Sequence, residues 1–118
     1  AHARVCSLFR QAAEAGIECP PAASAHLDTL TAPEEMAVTK LLAQYTDTVE
    51  EAARALEPHR VVFYLIELAS EFHRFYNRHR VITEDAPRTA ARLYLARAVG
   101  KVVKQGLGLV GVSAPEKM

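Results

Sequence analysis

Cysteine is nearly missing from this 118-residue chain: only Cys6 and Cys19 occur. They form neither a C-x-x-C pair nor a metal-ligand spacing. A disulfide between them stays open, but reduced thiols in a cytosolic protein are the favoured reading. Long apolar runs are missing too. None approaches the roughly 18 residues of a membrane span, and no basic n-region followed by an apolar h-region opens the chain. Strict apolar–polar alternation, the sign of a half-buried strand, occurs nowhere, and no internal repeat is evident. Catalytic signatures are equally scarce. His59, His73 and His79 show no H-E-x-x-H spacing, and no Ser or Cys stands in a nucleophile-elbow context.

One apparent motif also dissolves on inspection. Gly106-Leu107-Gly108-Leu109-Val110-Gly111 fits the G-x-G-x-x-G spacing of a dinucleotide-binding turn. That turn needs a strand before it, a helix opening on it and an acidic residue about 20 positions later. Only seven residues follow Gly111, with Pro115 among them. The segment reads instead as a helix end, with Gly106 as a left-handed cap and Leu107, Leu109 and Val110 tucked onto a core.

What is present is ordinary globular composition, half hydrophobic and a quarter charged, in a chain long enough for one domain with its own core. The chain opens on Ala1 inside a helical period, which points to a piece of a longer polypeptide. Net charge is zero but unevenly spread. Residues 1–57 carry four Lys/Arg against nine Asp/Glu, and residues 58–118 carry ten against five. A local polyanion contact in the second half would be hidden by the overall balance.

Helical periodicity runs nearly throughout. Val5, Leu8, Phe9 and Ala12 define a first helix ending near Gly16. Residues 16–30, with two prolines and no period, read as a long surface connection. Thr31-Ala32-Pro33-Glu34 looks like a helix start, with Thr31 capping and Glu34 returning the capping box. A short helix from Thr46-Asp47 to Leu56 should bury Val49, Ala52, Ala53 and Leu56. Pro58 opens a central helix of about five turns, with Val61, Leu65, Leu68, Ala69, Phe72, Phe75 and Tyr76 on one stripe. Asp85 and Pro87 start the last helix, which packs Ala91, Leu95, Ala98, Val99 and Val102 inward and runs to Gly106. The expected fold is all-α, an antiparallel bundle of about five helices.

Several constellations have two readings. His2 and Cys6 stand at metal-pair spacing, but two ligands make no site, so they read as a packed or exposed pair. Glu34-Glu35 and Glu50-Glu51 read as solvated surface. Arg97, Lys101 and Lys104 form a basic row opposite the apolar face of the last helix. It is either a phosphate grip or simply a solvated face. Arg74 and Arg78 share a side with Glu67 and Glu71 and should pair with them. In "FHRFYNRHR", Phe72 and Phe75 belong to the core. Tyr76 sits at the stripe's edge, where stacking on a base and packing are both open.

Three stretches carry a resemblance: "AHARVCSLFRQA", "LEPHRVVFYLIELASEFHRFYN" and "ARLYLARAVGKVVKQGLGLVGVSAPEKM". Along almost its whole length the chain resembles the C-terminal anticodon-binding domain of bacterial arginyl-tRNA synthetases, the helical domain called DALR. The closing "GLGLVGVSAPEKM" is the most specific element. The resemblance implies a piece of a class I aminoacyl-tRNA synthetase that binds the anticodon stem-loop of an arginine tRNA in the cytoplasm. Catalysis with ATP and magnesium would reside in the catalytic domain of the same parent chain, and this piece would hold no cofactor and no metal. Carried over, Arg4 would contact the unstacked loop, with His2 and Ser7 nearby. Tyr76 would stack on a base, and Met118 would close the pocket with its carboxylate. Asn77 beside Tyr76 and the basic row of Arg97, Lys101 and Lys104, read from the residues themselves, complete the expected RNA-binding set. The three glycines would bend the tail back toward that pocket. The rival expectation is a helical protein-interaction domain without RNA binding, suggested by the acidic first half and the strong amphipathic stripes.

Overall fold

The helical periods of the sequence become five helices in a computed structural model that describes residues 2–17 and 29–111. In chain order they are α1 (His2–Glu14), α2 (Pro33–Ala43), α3 (Tyr45–Ala55), α4 (His59–Arg78) and α5 (Ala86–Leu109). No strand occurs among the described residues. The 16–30 connection falls mostly outside them.

Local chemistry sets most of the boundaries. Gly16 (φ +73°) ends α1, and Ile17 N–H returns to the Ala12 carbonyl at 2.8 Å. That is the left-handed exit glycine favours. Asp85 caps α5 through Oδ1, which accepts from Arg88 N–H at 3.3 Å.

Four expectations need correction. At the start of α2 the cap position is Ala32, which has no side-chain acceptor, and Glu35 rather than Glu34 accepts the Ala32 N–H, at 3.0 Å. Neither Thr31 nor Glu34 plays its expected part. Gln44 joins α2 directly to α3, so α3 starts at Tyr45 and Asp47 makes no cap. Asp47 still lies in the first turn, where a negative charge suits the helix dipole. Leu56 is not core: it adopts the left-handed conformation (φ 55°) that closes α3 and stands 87% exposed, and Ala53 is exposed beside it. Finally, Gly106 is no cap. The helix runs through it to Leu109, which is exposed rather than tucked onto the core, and of Gly106, Gly108 and Gly111 the last alone has a positive φ, +81°.

Gly106 serves close packing instead. A Cβ on it would stand 2.8 Å from Leu65 Cδ2. Gly100 does the same for α1, since its Cβ would lie 2.9 Å from Val5 Cγ1. Three glycines in one helix lower its propensity, yet Gly106 and Gly100 let α4 and α1 press close to α5. Gly100→Ala should therefore lower stability by about 1 kcal/mol, read from the urea midpoint. The propensity gain of up to ~1 kcal/mol is outweighed by overpacking of roughly 1–3 kcal/mol against a β-branched side chain that cannot swing away. A midpoint at or above wild type would show that α1 lifts freely.

α4 and α5 lie side by side at the centre, with α1 packed on α5, α3 on α4, and α2 against both. Buried residues cover a broad arc of α5, from Ala91 and Leu93 to Val99 and Val103, while Lys101 and Lys104 on its other side are exposed. Val38, Leu68, Phe72, Phe75, Leu93 and Val99 form the enclosed centre. Tyr64 joins them, its hydroxyl donating to the Leu41 carbonyl at 2.5 Å, and burial pushes its pKa up to about 12. The outer side of α4 carries a second stripe, Val62, Phe63 and Ile66, which remains exposed.

Candidate nucleic-acid interface

α1 presents two flanks, because residues three and four apart share a side and residues two apart do not. Arg4, Ser7, Leu8 and Gln11 fall on one flank, and His2, Val5 and Phe9 on the other. This separation divides the candidate site.

On the first flank the Arg4 guanidinium lies 4.6 Å above the Tyr76 ring centroid, a cation–π contact. Tyr76 is half-buried, its ring tilted against Phe72 at 6.3 Å. Arg4 Nε is buried and has no hydrogen-bond partner among the described residues. Burial, with the charge of Arg4 adding to it, lowers the pKa of nearby His73. Beside Tyr76 opens a cleft of about 420 Å³, walled by Leu8 and Gln11 of α1 and by the 79–82 turn that leaves α4. Asn77 is exposed next to Tyr76. Ser7 Oγ is 2.9 Å from Arg10 Nη2, from which it accepts.

On the second flank Arg97, Lys101 and Lys104 line a groove of about 220 Å³ together with His2, Val5, Phe9 and Gly100. The basic row thus borders the seam where α1 lies on α5. Arg97 is half-buried with its guanidinium 5.3 Å over the Tyr94 ring, while Lys101 and Lys104 are exposed. An apolar floor with a cationic rim suits a sugar–phosphate chain, since phosphates meet the cations and ribose meets the floor.

Arg4 and Tyr76 are therefore brought together, and His2 joins the α5 cations rather than Arg4. Met118 lies outside the described residues, as do Cys19 and the rest of the 112–118 tail. Cys6 Sγ is 3.9 Å from His2 Nδ1. Among the described residues no three His, Cys, Asp or Glu side chains converge to hold a metal ion, and no helix is long and apolar enough to cross a membrane.

Sequence reasoning missed the charged network behind the cleft. Glu35, expected on the surface, is 2% exposed and pairs with Arg92, itself 5% exposed, at 2.9 Å. Arg92 Nη1 also donates to the Arg80 carbonyl at 2.6 Å. Glu34 is largely covered and meets Arg78 at 3.1 Å and His79 at 3.5 Å. Hydrogen bonds from its own backbone and from Arg78 hold its carboxyl below the ordinary range. Of the expected pairings along α4, Arg74–Glu71 forms at 3.5 Å, whereas Arg78 crosses to α2. A signal was present: Arg92 shares the stripe of Leu95, Ala96 and Val99, and a lone charge on an apolar stripe calls for a buried partner.

The sequence model of the DALR anticodon binding domain matches residues 1–118. Over its whole length the chain is 54% identical to an arginine–tRNA ligase of Geotalea daltonii and 52% identical to one of Geotalea uraniireducens. It is 46% identical to an arginine–tRNA ligase of Moorella thermoacetica, and it spans 21% of the length of each of these relatives. With five helices in one all-α bundle, and a match along all 118 residues, the chain belongs to the DALR anticodon-binding domain family.

Proposed function

We propose that residues 1–118 form a single domain that recognises the anticodon stem-loop of an arginine tRNA, as the C-terminal part of a longer arginine–tRNA ligase. The observation that carries this reading is Tyr76, which lines a cleft and carries the Arg4 guanidinium over its ring. A splayed base entering there meets an aromatic ring already backed by a cation, and base–aromatic stacking tolerates an unstacked loop. The α5 groove offers a second, sequence-blind hold on phosphates. Ser7, Asn77 and Met118 complete the loop contacts in this reading, with the tail closing over the bases. ATP, magnesium and arginine transfer belong to the catalytic domain of the longer polypeptide, which acts in the cytoplasm. The exposed stripe of Val62, Phe63 and Ile66 supports contact with other parts of that polypeptide.

Gel-shift titration with an arginine anticodon stem-loop tests the proposal. Tyr76→Ala should cost about 1–3 kcal/mol of binding if its ring stacks on a base, and Tyr76→Phe should retain most of it. Undiminished binding by a folded Tyr76→Ala would remove Tyr76 from the site. Equal affinity for loops with altered anticodon bases would reject specific recognition. A complete lack of binding at low salt would favour the protein-interaction reading.

A further inference from the structure

A buried ion pair is a poor source of stability, because apolar residues of similar volume often serve as well or better. The Glu35–Arg92 pair therefore needs another reason to exist. What an apolar pair cannot do is hold a carbonyl. Arg92 presents a planar fork: Nε goes to Glu35 Oε2 at 2.9 Å, Nη1 to the Arg80 carbonyl at 2.6 Å, and Nη2 lies 3.5 Å from His79 Nδ1. Both His79 and Arg80 belong to the turn that walls the Tyr76 cleft. His79 is held further by its ring, stacked on Phe75 at 5.8 Å, and its Nε2 lies 3.5 Å from Glu34 Oε2 without making a hydrogen bond. Just past the turn, Thr83 N–H donates to Thr89 Oγ1 at 2.8 Å. The turn lies between α4 and α5, outside either helix. Buried Val81 ties it to the core and the His79 N–H donates to the Phe75 carbonyl at 3.0 Å, while Arg92 supplies the side-chain hold on its Arg80 carbonyl.

We infer that Arg92, oriented by Glu35, is a positioning residue that sets the width of the Tyr76 cleft and thereby its discrimination among bases. The inference rests on the anticodon reading for its ligand. Arg92 is too deeply buried to be a principal RNA contact; its action passes through the Arg80 carbonyl and the His79 ring.

The test uses two variants of the chain. In Glu35→Leu/Arg92→Met the pair is replaced by apolar residues and the carbonyl hold is lost. In Arg92→Lys the charge remains, but one ammonium replaces a fork and cannot reproduce its spaced contacts. Each is titrated with the arginine anticodon stem-loop and with the same loop carrying one altered anticodon base. The expected result is a fall of about tenfold in the affinity ratio, with the salt dependence unchanged because the α5 cations are untouched. A folded variant with an undiminished ratio, or one that weakens both loops equally, overturns the inference. If the wild-type chain itself discriminates no loops, the anticodon reading fails, and an RNA-free measurement judges the inference instead. The Ile82 methyl signal should broaden and Thr83 amide exchange should quicken in both variants; an unaltered turn refutes the positioning role. Should the double variant fail to fold, Arg92→Lys decides.

Discussion

Glu35→Ala is expected to lower the unfolding free energy by about 3–5 kcal/mol, the usual consequence of stranding one partner of a buried ion pair. Arg92 would stay charged at 5% exposure with its Nε donor unmet. A guanidinium does not discard its proton to escape this, since it remains charged throughout the accessible pH range. The cap of α2 would suffer as well, because Glu35 Oε1 accepts the Ala32 N–H. Against a total stability of about 5–15 kcal/mol for a domain of this kind, the loss is a major fraction. Urea unfolding followed by circular dichroism measures it. Glu50→Ala, on the exposed face of α3, is the control and should shift stability by no more than about 0.5 kcal/mol. A loss below about 1 kcal/mol for Glu35→Ala would mean that water reaches Arg92 easily.

The second large effect concerns RNA. Replacing Arg97, Lys101 and Lys104 together by alanine should weaken stem-loop binding by at least about 100-fold at low salt, taking each charged contact as worth 1 kcal/mol or more. The slope of log K against log salt should flatten by about 2, or roughly 0.7 per lost phosphate contact for a single strand. Lys101 and Lys104 are exposed, so the fold should tolerate their loss; Arg97 also gives up its packing on Tyr94. Lys40→Ala, an exposed cation on α2, should leave the slope nearly unchanged. An unaltered slope in the triple variant would place the phosphates elsewhere.

How far these features could be read in advance depends on the distance over which each is decided. The five helices follow from periods of three and four, and the Asp85 cap follows from its own neighbours, so both were legible. Gly106 and Leu56 were misread because a glycine or leucine near a helix end has two uses. Contact with Leu65, forty-one positions away, makes Gly106 a packing residue, while Leu56 takes the left-handed role that glycine usually fills. Glu35 looked like its neighbour Glu34 because its partner stands on another helix. Tyr76 showed its stacking potential through its place at the stripe's edge, but nothing local could announce Arg4 above it. The division of His2 from Arg4 was legible in principle, since positions two apart on a helix face apart, although the resemblance grouped them.

The close fit of Val5 against Gly100 has a mechanical side. A rod wedged that tightly cannot roll about its own axis without prising its neighbour away, so the tyrosine side and the lysine side of α1 keep a constant spacing. They act as the jaws of a caliper. On the proposed reading, a nucleic acid engaging both would have to bring its splayed base and its phosphates to that preset gap, and one with the right letters but the wrong span would close only one jaw.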